Sequence, residues 1–209
     1  MSERPEFTVR NATMEDVPGV ARVLSRAFFD DPLMEWLFPD PVSRMAKSAR
    51  WWAAFSGYVF IPRGRVRVAV EEGPRPVVRG AAAWKEPEEP SMGPGALLRT
   101  LPSTVSLFGL GRLPELAAFL REVGALAPAE GPYWHLEVIG VDPVVQGKGV
   151  GAALLDAGLS RADDDRVPVH LETNRAGNLA YYERYGFKQT GELDTEGLPR
   201  TWAMLRPAP

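Results

Sequence analysis

Cysteine is absent from this chain of 209 residues. That excludes disulfides, a thiol nucleophile and a thiolate metal site. Histidine occurs only at His135 and His170, too few and too unpatterned for a dedicated zinc centre, so no metal is expected. No apolar run approaches the roughly 20 residues that cross a bilayer. Met1 to Arg10 lacks the apolar core of a signal peptide, so a soluble, cytoplasmic protein with no membrane partner is expected. An excess of one charge is also missing. The 24 Lys and Arg stand against 27 Asp and Glu, a formal net charge of −3, which offers no surface for nucleic acid. Hydrophobic residues make up 45% of the chain, enough for a proper core. The length suits a single domain over 1–209.

Phe7 to Arg10 alternates apolar and polar residues, as a short strand does. Thr13 suits a helix N-cap, with Glu15 and Asp16 in the first turn. Val17, Val20, Ala21, Leu24, Ala27 and Phe28 then repeat at helical spacing. Asp30-Asp31-Pro32 breaks that helix, and Leu33 to Phe38 forms a short helical turn stopped by Pro39. Met45, Ala49, Trp52, Ala53, Ser56 and Phe60 mark a second long helix. Val66 to Val70 and Val77 to Trp84 read as strands joined by a hairpin. Lys85 to Gly95 reads as a loop. Ala96 to Ala127 reads as two helices split near Gly109 to Pro114, either plain packing or a wall over a substrate pocket.

From Tyr133 the order is strand (Tyr133 to Val141), helix (Val150 to Asp163), strand (Val167 to Glu172), helix (Gly177 to Tyr185) and two strands (Phe187 to Leu193, Arg200 to Arg206). This alternation implies an α/β sheet with a parallel pair. Between the first strand and its helix lies Gln146-Gly147-Lys148-Gly149-Val150-Gly151. Glycines let the backbone approach a bulky anion, and a helix start offers unpaired amides at the positive end of its dipole. The turn therefore suits a phosphate. It is neither Gly-x-Gly-x-x-Gly nor a P-loop ending in Gly-Lys-Ser/Thr. An ordinary tight turn remains the alternative from spacing alone.

Three elements coincide in order: Gln146-x-x-Gly149-x-Gly151, then Glu172-Thr173-Asn174, then Asn178-x-x-x-Tyr182-Glu183-Arg184-x-Gly186-Phe187. Together they resemble the GCN5-related N-acetyltransferase superfamily, which moves an acetyl group from acetyl-CoA to an amine. A narrower resemblance, to the puromycin N-acetyltransferases, rests on Arg10-x-Ala12-Thr13, Asp16-Val17-Pro18, Ala27-Phe28 and Pro199-Arg200-Thr201-Trp202. Asp31 and Glu137 depart from that group. The resemblance implies a mixed central sheet of six to seven strands flanked by helices, with a splayed parallel pair at the acetyl-CoA site. It also implies that amides of Gly147, Lys148, Gly149, Val150, Gly151 and Ala152, with Gln146, hold the pyrophosphate. Ile139 and Val141 would pair with pantetheine as an extra strand does. Asn178, a helix N-cap candidate, would bond CoA, and Lys148 either faces a phosphate or is solvated.

Aminolysis of a thioester needs a neutral amine, and a free alkylamine with a pKa near ~10.4 is mostly protonated at pH 7. A general base relieves this. Glu137, in an apolar strand, is the candidate, because burial raises a carboxyl pKa toward neutrality. His135, on the same face by period-2 counting, is the rival, with water alone a third option. The resemblance makes Tyr182 the candidate acid for the leaving thiolate, because the superfamily pattern places this tyrosine near the CoA sulfur. Tyr181, its competitor, points about 100° away around the helix. Phe28, Asp31, Trp36 and Phe60 are candidates for the acceptor pocket, and Asp31 would attract a cationic amine. The expected activity is direct transfer of acetyl from acetyl-CoA to a small-molecule amine in a ternary complex. An antibiotic or aminonucleoside is among the candidate acceptors. Two readings stay open beside it: acetylation of a protein N-terminus or lysine, and a non-catalytic acyl-CoA-binding regulatory module. Both monomer and homodimer are compatible with the sequence.

Overall fold

The computed structural model describes residues 7–87 and 94–209. The element order is β1 (Phe7–Asn11), α1 (Val17–Ala27), α2 (Pro32–Leu37), α3 (Pro41–Phe55), β2 (Val66–Glu71), β3 (Val77–Lys85) and α4 (Pro94–Phe108). It continues with α5 (Leu113–Gly124), β4 (Trp134–Val141), α6 (Val150–Asp165), β5 (Val169–Thr173), α7 (Leu179–Glu183), β6 (Lys188–Leu193) and β7 (Thr201–Arg206). Part of the proline content has a local use, since Pro18, Pro32, Pro41 and Pro114 stand in the first turns of α1, α2, α3 and α5. Proline there loses no helical hydrogen bond and presets φ. Asp31 and Asp40 cap two of these helices, accepting from the amides of Leu33 at 3.0 Å and Val42 at 3.1 Å.

The strands form one seven-stranded sheet in the order β1-β2-β3-β4-β5-β7-β6. Only β4 and β5 run parallel; the other neighbours are antiparallel. Strand side chains alternate between faces, so the sheet has a core on each side. Val66, Val68, Val70, Ala81 and Ala83 pack with α1, α2 and α3, whereas Ala69, Ala82 and Trp84 pack with α6. Gly158 lets α6 approach the sheet, because a Cβ there would lie 2.1 Å from the Trp84 ring.

Two irregularities in β4 fall at one place. Opposite β3, Ala83 pairs with Val138 and Trp84 with Leu136. Glu137 is thus the extra residue of a β-bulge, a device that bends a strand and re-aims a side chain. Opposite β5, pairing covers only Trp134 to Leu136. Beyond Leu136 the parallel strands part, and among the described residues no strand lies beside the β5-facing edge of β4 from Glu137 to Val141.

Several expected boundaries shift. The long helix ends at Phe55, and Ser56–Phe60 is a π-helical turn. The helix expected from Gly177 to Tyr185 is a 3₁₀ turn, Ala176–Asn178, followed by the short α7. Residues 88–93 of the expected loop lie outside the described residues. α4 and α5, weighed as a pocket wall, contribute no residue to the lining of the two cavities described below. They pack instead through Phe108 on Phe38 and Phe119 on Trp36.

Candidate active site

The gap between the splayed strands opens into two adjoining cavities. The outer is a cleft of about 460 Å³ bordered by Ile139 to Val141, the turn before α6, and α7. The inner holds about 110 Å³ between the strands and the α1–α3 side. Phe28, Asp31, Ile139, Asn178 and Tyr182 border both.

The turn at the outer cleft has the shape an anion needs. Gly147 and Gly149 have φ of +75° and +86°, in the left-handed region where only glycine is unstrained. A Cβ on either would meet nothing within 4 Å, so these glycines are set by conformation, not by crowding. Asp142 anchors the turn from below. Its carboxylate is fully buried and accepts from Val144 N at 3.3 Å and Arg22 Nη1 at 2.8 Å. Arg26 and Arg79 approach it at 3.4 and 3.5 Å. Burial pushes the Asp142 carboxyl up, but the Val144 amide and the arginines outweigh it and hold the pKa below the usual range. The first intrahelical bond of α6 is Ala153 N to Gly149 O, at 3.0 Å. The amides of Val150, Gly151 and Ala152 precede it and border the cleft. Backbone donors, left-handed glycines and an open groove together fit the pyrophosphate of CoA, and the unpaired edge of β4 fits an extended pantetheine arm.

Gln146 borders the cleft, and its Nε2 donates to the Val141 carbonyl at 3.1 Å, tying the turn to the strand. Lys148 is exposed and borders neither cavity, which is the solvated alternative. Asn178 borders both cavities, but its side chain caps no helix; Nδ2 donates to Thr173 Oγ1 at 3.0 Å.

Glu137 borders the inner cavity with its side chain 12% exposed. Its Oε2 has no hydrogen-bond partner, and Arg65 Nη1 stands 3.9 Å away. Burial pushes its pKa up, against the pull of His135, Arg65, Lys85 and Arg63. Tyr182 is 7% exposed, packs edge-on against Phe187 and has its pKa pushed up to about 12 by burial. It reaches both cavities, whereas Tyr181 borders only the outer one. Asp31 is 5% exposed and faces Arg175 Nε at 3.4 Å, with burial raising its pKa.

Three expectations for side chains need correction. His135 does not border either cavity; its Nε2 lies 2.6 Å from Glu172 Oε2, while His170 Nε2 lies 2.9 Å from Glu172 Oε1. Burial pushes the Glu172 carboxyl up, but the two imidazoles outweigh it and hold the pKa far below the usual range. An ionised carboxylate only accepts, so both histidines donate through Nε2. The two histidines, which looked unrelated in the sequence, converge on one carboxylate, because β4 and β5 pair His135 directly with His170. Trp36 is also absent from both cavities; its ring lies against Phe119 and Arg112, and Nε1 donates to the Gly197 carbonyl at 3.0 Å. Phe60 packs on Phe55 and borders neither cavity. Arg175 and the arginines around Asp142 carried no sequence signal as site residues, since each depends on a partner far away in the chain.

A family model described as an acetyltransferase (GNAT) domain matches residues 118–199. An uncharacterised N-acetyltransferase of Schizosaccharomyces pombe is 27% identical over 212 aligned residues, covering 90% of this chain and 88% of that protein. A peptidyl-lysine N-acetyltransferase of Escherichia coli is 31% identical over 71 residues, covering 34% of this chain. The chain spans about half, 47%, of that relative's length. A solved Corynebacterium glutamicum structure, described as histone acetyltransferase HPA2 and related acetyltransferase, superposes with a TM-score of 0.67. It is 27% identical, and the match covers 97% of each chain.

Proposed function

We propose that the chain is an acetyl-CoA-dependent N-acetyltransferase of the GCN5-related superfamily that acetylates a small-molecule amine by direct transfer, a reading supported by the matching acetyltransferase domain and relatives. The observation that carries this reading is the placement of Glu137 and Tyr182 around adjoining cavities, one along the glycine turn and a smaller one between the splayed strands. Acetyl-CoA lies in the outer cleft, its pyrophosphate on the amides around Gly149 and its pantetheine along Ile139 to Val141. The amine enters from the inner cavity as its cation.

Glu137 takes a proton from the ammonium and leaves a neutral amine. The amine nitrogen attacks the thioester carbonyl; a C–N bond forms and the carbonyl electron pair moves to oxygen. Collapse of the tetrahedral species breaks the C–S bond. Tyr182 gives its phenolic proton to the departing thiolate, and the nitrogen's surplus proton restores the phenol. Glu137 releases its proton to solvent, so one amide, one CoA thiol and one proton leave. A phenol with a pKa near 12 remains protonated until the thiolate forms, as an acid in this position must.

Steady-state kinetics with free-thiol detection test this across an amine panel. Tyr182→Phe is expected to lower kcat by about tenfold or more while leaving KM for acetyl-CoA nearly unchanged. Unchanged kcat in that variant removes Tyr182 from the reaction. Absence of thiol release with every amine, despite CoA binding, removes the enzymatic reading and favours a regulatory module. Acetylation of a protein lysine is the second reading, favoured by the peptidyl-lysine relative, and a lysyl peptide belongs in the panel for that reason.

A further inference from the structure

We propose that the acceptor is a small aliphatic amine that carries no anionic group, seated in the inner cavity against Phe28, Met34 and Trp52. The inference rests on the acetyl-transfer reading above and narrows its substrate.

Size comes first. The inner cavity is the smaller of the two, about 110 Å³ against about 460 Å³ for the outer cleft that adjoins it. An amine with a short stem fills it. Much of the wall is apolar, from α1 through α2 and α3 to β4 and β5. A stem of methylenes or methyl groups gains by leaving water there.

Charge comes second. The ionisable acids and bases that border the cavity, apart from Tyr182, are Asp31, Glu137 and Glu172. Among the described lining residues there is no Lys, Arg or His. The neighbouring cations stand outside the lining. Arg175 meets Asp31 from the outer cleft, His135 and His170 bond Glu172, and Arg65 lies 3.9 Å from Glu137. Asp31 and Glu172 thus have close partners, while Glu137 Oε2 is buried without a hydrogen bond. An ammonium supplies the missing donor at the one atom that must take its proton. A second group bearing negative charge would find three carboxylates and no cation in the lining to pair with, an arrangement that disfavours it.

The test uses the intact protein with acetyl-CoA and three acceptors: n-butylamine, 4-aminobutanoate and a peptide with one free lysine. The first two share a four-carbon chain and differ by a carboxylate. Free-thiol release is expected to give n-butylamine a kcat/KM about 100-fold or more above 4-aminobutanoate, and above the peptide. Calorimetric titration of the CoA-loaded protein with n-butylamine reads binding apart from turnover. Equal or better turnover of 4-aminobutanoate or the peptide overturns the substrate class and leaves the transfer chemistry standing. Saturable binding of n-butylamine without turnover supports the class and removes the transfer reading. Neither binding nor turnover of n-butylamine overturns the class.

Discussion

At Glu137, burial and proximity to cations oppose each other, and burial wins: the carboxyl sits above its ordinary range. A base acts only when ionised, so kcat/KM is expected to rise with pH through this raised pKa. Glu137→Gln removes the titrating group. The variant is expected to lose about 10²-fold or more in kcat, within the range for positioned acid–base groups. It should also lose the acidic limb of the pH–rate profile. A profile identical to wild type assigns that limb to another group. The type of residue at this position was legible in the sequence, as a carboxylate in an otherwise apolar strand. Its position in a bulge was not, because a bulge is a relation between two strands. His135 shows the converse. Period-2 counting places it on the face of Glu137, yet its ring is taken by Glu172, 37 positions along the chain.

At the scale of elements, the turn between β4 and α6 is held by the Asp142 carboxylate under three arginines from α1 and β3. Removing that charge leaves Arg22, Arg26 and Arg79 without their common partner. Arg22 and Arg26 are more than a third exposed, so solvent moderates the stability cost. The larger effect falls on the geometry of the turn. Asp142→Asn is expected to raise KM for acetyl-CoA several-fold, about 1 kcal/mol of lost binding, with kcat nearly preserved. An unchanged KM shows that the turn is held by its glycines and Gln146 alone. The glycine pattern and the strand–turn–helix order were visible in the sequence, since both are local. The splay of β4 from β5 was expected only from family resemblance; in the structure it is the end of pairing at Leu136.

For the whole molecule, β4 and β5 are stitched below the splay by the His135–Glu172–His170 cluster, in which His170 is fully buried. Glu172 has its pKa depressed in the folded state. A depressed carboxyl contributes stability above its unfolded pKa, and that contribution is lost as the pH falls toward the folded value. The protein is therefore expected to lose stability below about pH 4.5, the range in which a free glutamate begins to protonate. Urea unfolding at pH 7 and at pH 4 measures this. Glu172→Gln is expected to be less stable at pH 7, with a shallower fall between the two. An equally steep fall assigns the acid limb elsewhere.

The sequence by itself determined the class of architecture and the glycine-rich turn ahead of α6, and it offered Glu137 as a carboxylate in an apolar strand. Each depends on near neighbours: periodicity, helix starts and glycine conformation act over a few residues. Only the tertiary structure decided which side chains share a cavity. Trp36 and Asp31 lie five positions apart, yet one packs under α5 and the other joins Glu137, Glu172 and Tyr182 at the inner cavity. Burial, counter-charges and strand register are set by groups distant in sequence, and these give the cavity its lining of apolar side chains and carboxylates.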